Sequence, residues 1–182
     1  MKKTVGQIHS QLWHLKKKND ANHYTASKDA DVFMGVLIDW ISQPPTPCDL
    51  LLVAMPGVGD VGKLAIDAVN AELDAEPIAR ILHPALPPLA KLDEDGLLAP
   101  PHILLSRVIV DGREVYTLTG DAQPMTPEGQ HELAVSVLEL CEGGEVLVLA
   151  GMSAQAERKE VFTITSSSSY RIELESMGVD VR

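Results

Sequence analysis

Gly57, Gly59 and Gly62, in the stretch MPGVGDVGKLA from Met55 to Ala65, have a spacing that two kinds of phosphate site share. Read as G-x-G-x-x-G they match a dinucleotide turn; read as Gly57, four residues, then Gly62-Lys63, they match a P-loop up to its last position. In both, backbone N–H groups at the start of a helix face an anion. A P-loop also needs a hydroxyl residue after its lysine to hold magnesium, and here that residue is Leu64. Asp60 places a negative charge among the amides that would cradle phosphate. The dinucleotide turn requires an acid about 20 positions on, at the end of the second strand. That strand reads IARILHPAL and has none; Asp74 and Glu76 precede it. The stronger reading is a structural turn, where glycine permits a tight strand-to-helix connection and close helix–sheet contact. The alternative is a small-molecule or phosphate-binding enzyme or sensor that uses the Gly57–Gly62 turn at the helix start, and no cofactor is expected.

Other catalytic constellations do not assemble. Gly151-Met152-Ser153 lacks the final glycine of a nucleophile elbow. His131-Glu132 has Val135 and Ser136 where a second zinc-binding histidine would stand, so no metal is expected. His83 and His102 flank a proline-rich loop and are read as satisfied polar groups. Ser166 to Ser169 read as a loop and helix cap. No catalytic residue is assigned.

The whole chain narrows the choice of partners. Its 182 residues suffice for one domain with a real core, and 45% hydrophobic content with a mean hydropathy of +0.04 places it among globular proteins. Fifteen basic residues against 26 acidic ones give a net charge of −11, which opposes nucleic acid and anionic membrane surfaces. The charge is uneven, since residues 1–45 carry six lysines against four aspartates. Cys48 and Cys141 are distant in sequence and belong to no C-x-x-C pair, which fits a reducing compartment. The N-terminus lacks an apolar signal core, and no apolar run approaches the roughly 18 residues of a membrane span. A cytoplasmic location is expected.

Elements must position the turn. Val32, Phe33, Val36, Leu37, Trp40 and Ile41 fall on one stripe of a helix over 29–42, which ends at the prolines 44, 45 and 47. This divides the chain into an N-terminal helical extension, 1–45, and an α/β body, 46–182. The stripe is expected to bury itself on the body or on a second copy, with an exchanged arm in a homo-oligomer preferred. In the body, Asp49 to Met55 is a strand buried on both faces, and 61–73 is a helix with Val61, Leu64, Ala65, Ala68 and Val69 inward. A strand at 77–84 follows. Strands 102–110 and 114–119 join at Asp111-Gly112 as an antiparallel insertion. Thr126 caps a helix over 127–141 whose inward residues are Ala134, Val137, Leu138 and Cys141. EVLVLAGM is another buried strand, VFTITS a short one, and SSSYRIELESMG a last helix.

Three segments together, MPGVGDVGKLA, LTGDAQPMTPEG and VLVLAGM, resemble the proteasome assembly chaperone 2 family and its archaeal and bacterial relatives from about Asp49 to Gly178. The resemblance implies an α/β fold of three layers, with a mostly parallel central sheet flanked by helices as in phosphorylase-like domains. It also implies a noncatalytic scaffold or assembly chaperone whose protein partners are proteasome subunits or a paralogue. The motif positions carried over are Pro56, Gly57, Gly59, Val61, Gly62 and Ala65 in the turn, with Gly120, Asp121, Gln123 and Pro124 in the second segment. Of these, Pro56, Gly57, Gly59, Gly62, Gly120, Asp121 and Gln123, together with Asp60, form the expected ligand or partner site at one rim of the sheet. The chain ends Gly178-Val179-Asp180-Val181-Arg182, without a hydrophobic-Tyr-x tail, so docking through such a tail is not expected.

Overall fold

A computed structural model of the chain describes residues 35–44, 48–92, 96–141, 143–153 and 160–182. In order they form β1 (Leu37–Trp40), β2 (Leu50–Ala54), a single 3-10 turn (Val58–Asp60), helix α1 (Val61–Glu72), β3 (Glu76–Leu82), β4 (Lys91–Leu92), β5 (Leu98–Ala99), β6 (Ile103–Val110), β7 (Arg113–Gly120), helix α2 (Pro127–Leu140), β8 (Glu145–Val148) and helix α3 (Ser168–Ser176). Local signals set most of these boundaries. Thr126 Oγ1 accepts from Gly129 N at 3.1 Å with Pro127 at the first helical position, and Ser167 Oγ accepts from Tyr170 N at 3.2 Å. Asp111 and Gly112 both take positive φ, at 49° and 77°, the backbone that a tight hairpin between β6 and β7 requires.

Six strands make one sheet in the order β1-β3-β6-β7-β2-β8, while β4 and β5 pair separately. β2 runs parallel to β7 and β8; the β1–β3, β3–β6 and β6–β7 pairs are antiparallel. The sheet is therefore mixed, not mostly parallel. β6 and β7 are its central strands, not an insertion, because long apolar strands at a tight hairpin bury best at the middle.

Successive strand residues face opposite layers. Leu51, Leu105, Tyr116 and Leu118 meet Leu133 and Val137 of α2, and Cys141 just past its end, in one apolar core. On the other face, Gly62 and Asn70 of α1 lie against Ala54 and Thr117. These two helices on opposite faces make the expected three layers. Their inward residues differ from expectation, however. α1 buries Gly62 and Ile66 and leaves Val61 and Leu64 exposed; α2 buries Leu133 in place of Ala134 and Leu138. Close approach at Gly62 sets the rotation of α1 more strongly than its apolar stripe does.

The expected helix over 29–42 is corrected where it is described. Leu37–Trp40 pair antiparallel with Leu82–Ala79, and Val36, Ile38 and Trp40 pack against the core. The β1 backbone thus makes its hydrogen bonds to β3 as a strand, in place of the helical arm expected at Val36, Leu37, Trp40 and Ile41. Val32 and Phe33 lie outside the described residues. Val36–Arg182 form one compact unit, so the body begins before residue 46. VFTITS contributes only a bridge from Thr163 to Val181. Among the described residues no helix is long and apolar enough to cross a membrane.

Candidate functional site

Because β2, β7 and β8 run in the same direction, their carboxyl ends open onto one rim, the place where α/β sheets keep a ligand crevice. Three loops meet there: the glycine turn after β2, the segment Asp121–Met125 after β7, and Leu149–Gly151 after β8. Between them lies a cleft of about 390 Å³ whose walls include Val53, Met55, Gly57, Val61, Gln123 and Val148. The Gln123 amide donates to the Pro56 carbonyl, joining the second motif to the first.

Each glycine of the turn has a different reason. Gly59 sits at φ 64°, in the left-handed region that side chains disfavour. A β-carbon on Gly62 would lie 2.1 Å from the Leu149 carbonyl oxygen, and one on Gly151 would lie 2.3 Å from that of Val58. Backbone therefore meets backbone on both sides of the turn. Gly57 is extended, with φ −163°, and its β-carbon position meets only the Met55 oxygen at 3.9 Å.

Asp60, at φ 51°, folds its carboxylate back to accept from Gly57 N at 3.2 Å. An anion approaching this turn would meet a carboxylate already holding an amide it needs, which argues against phosphate. β3 also lies apart from β2, separated by β6 and β7, so the adjacent second strand of a dinucleotide site is missing from the sheet.

The other expected site residues point elsewhere. Asp121 pairs with Lys91 Nζ at 2.5 Å. Gly120 lies over β6, where a β-carbon would meet Ile103 Cγ1 at 3.0 Å. His83 Nδ1 accepts from Ala85 N at 2.9 Å, so Nε2 carries the proton and donates to Glu132 Oε2 at 2.9 Å. With both ring nitrogens engaged, His83 has no lone pair to act as a base. His102 contacts the Pro100 oxygen at 3.0 Å. Among the described residues no cluster of three metal-ligating side chains gathers.

The feature that sequence reasoning missed is the apolar border of the cleft. Val58, Val61 and Val148, which line it, are 52–64% exposed. β8 reads in sequence as buried on both faces, yet it closes one edge of the sheet. A continuous apolar run is compatible with either place, and only strand order separates them.

The PAC2 family model matches residues 51–180, most of the chain. Two solved structures share the fold. One is Pyrococcus furiosus PbaB, described as an archaeal proteasome activator, at 21% identity and a TM-score of 0.67, covering 81% of this chain and 66% of that one. The other is Pyrococcus furiosus PbaA, described as an archaeal homolog of proteasome-assembly chaperone, at 24% identity and a TM-score of 0.61, covering 80% and 63%. The chain thus spans less than two thirds of the length of these two structures. No curated protein matches it.

Proposed function

We propose, from the premise that this chain belongs to the PAC2 family, that it is a noncatalytic scaffold of the assembly-chaperone kind, binding a protein partner on the rim around the glycine turn. The exposed apolar lining of the cleft carries the reading: Val58, Val61 and Val148 border an apolar hollow beside an edge strand, and Leu64 and Met152 are exposed close by in sequence. Exposed apolar surface of this kind marks a protein contact more often than a site for a charged small molecule. An edge strand adds backbone groups for pairing with an incoming segment. The names of the solved relatives, a proteasome activator and a proteasome-assembly chaperone homolog, support proteasome subunits as the partner in this reading, with a paralogue as the other candidate. The net charge of −11 favours a basic partner surface and an association that slows as salt rises. Self-association into a homo-oligomer through the same apolar rim belongs to this reading.

Capture from the native source with the wild-type chain and with Val61→Asp and Val148→Asp, followed by mass spectrometry, tests it. Both changes are at exposed positions and should leave thermal stability within a few degrees of wild type, while the partner is lost. Retention of the same partner by both folded variants would refute the assigned surface. Light scattering on the same three proteins measures self-association, with a lower mass expected for the variants.

A further inference from the structure

Cys48 and Cys141, 93 residues apart, place their sulfurs 2.7 Å from one another, and both residues are buried, at 6% and 3% exposure. Three pieces of backbone hold them there. Cys141 ends α2, Cys48 leads into β2, and the start of β8 crosses both. Gly144 N donates to the Cys141 oxygen at 3.0 Å, and Glu145 N donates to the Asp49 oxygen at 2.8 Å. Gly144 itself lies so close that a β-carbon would come within 1.9 Å of the Cys48 oxygen and 3.0 Å of Cys141 Sγ. With both thiols reduced, Cys141 Sγ donates to the Cys48 oxygen at 3.0 Å.

From this geometry we infer that Cys48 and Cys141 form a dithiol–disulfide site, a reversible covalent clasp between the start of β2 and the end of α2. The oxidant is a small-molecule disulfide of the glutathione class. One cysteine thiolate attacks a sulfur of the oxidant, giving a mixed disulfide and releasing one thiolate. The second cysteine thiolate then attacks the protein sulfur of that mixed disulfide and expels the other thiolate. The pair loses two electrons and two protons, and the oxidant becomes two free thiols. The packed pair is covered by Gly144 and Glu145, and burial pushes the Cys48 thiol up from its ordinary range. Closure therefore happens when that segment opens or while the chain folds, and is slow in the closed native state.

The bond would close a loop spanning most of the body, the arrangement in which a cross-link restricts the unfolded chain strongly. It would also leave the native backbone in place, because the sulfurs are already together.

The full chain refolded with oxidised glutathione, then analysed by mass, peptide mapping and thiol count in denaturant, tests the inference. The expected product is about 2 Da lighter than the reduced chain. It has Cys48 linked to Cys141 and no remaining free thiol. It should melt about 5 °C or more above the reduced form, with dithiothreitol reversing the shift. Cys48→Ser or Cys141→Ser should instead take up a single glutathione. Two glutathione adducts on the wild-type chain, two persistent thiols, a disulfide formed only between chains, or a native disulfide form that melts lower would each overturn it.

Discussion

A β-carbon on Gly62 would stand 2.1 Å from the carbonyl oxygen of Leu149. The first turn of α1 is thus held against the end of β8 by the lack of a side chain, and the cleft between them depends on that contact. Gly62→Ala should cost about 3 kcal/mol, because the clash is with backbone that cannot rotate away. Gly59→Ala should cost about 1 kcal/mol for its left-handed conformation. Gly57→Ala should stay within about 0.5 kcal/mol, since its backbone is extended and its surroundings open. Urea unfolding of the three variants checks this order.

Thr117 Oγ1 donates to Asn70 Oδ1 at 2.8 Å, tying α1 to the centre of the sheet. Asn70→Ala should destabilise by about 1–3 kcal/mol, because it leaves the fully buried Thr117 hydroxyl without its acceptor. Adding Thr117→Val removes the orphan and should return part of the loss. A double-mutant cycle measured by denaturant unfolding gives the coupling.

Tyr116 is buried beneath α2 and donates to Glu114 Oε2 at 2.8 Å. Burial first, and then the bond to Glu114, pushes its hydroxyl up from 10.0 to about 12. A raised folded value means that the folded state keeps its proton longer than the unfolded chain does. The associated stability is complete below pH 10 and is lost as pH rises from 10 towards 12. Cys48 shifts in the same direction, chiefly through burial. Melting temperature should therefore fall over this alkaline interval, and Tyr116→Phe should flatten the fall.

Gln123 donates its side-chain amide to the Pro56 carbonyl across two loops. Gln123→Ala should cost roughly 0.5–1 kcal/mol and loosen the cleft wall. Partner affinity, measured by titration calorimetry, should weaken by more than this small loss of stability, because the loops lose their mutual position.

Local chemistry was legible in the sequence. Thr126 with Pro127, the Asp111-Gly112 hairpin and the serine cap at Ser167 act over two to four residues, so they are readable without a partner element. The glycine turn was legible for the same reason: Gly57, Gly59 and Gly62 lie within six residues of one another. Leu37–Trp40 were read with helical spacing but fold as a strand, because β3 supplies a pairing edge that periodicity cannot reveal.

Tertiary structure alone decided the strand order, the rotation of α1 and the exposure of β8. Each depends on contacts between residues distant in sequence: Gly62 with Leu149, Thr117 with Asn70, Leu51 with Tyr116 and Val146. An apolar run records that a segment prefers to leave water, but not which neighbour covers it. Val148 has the composition of a core residue, yet stands 64% exposed because β8 is the last strand of the sheet. The proximity of Cys48 and Cys141 has the same origin, since three elements must pack before the two sulfurs can meet.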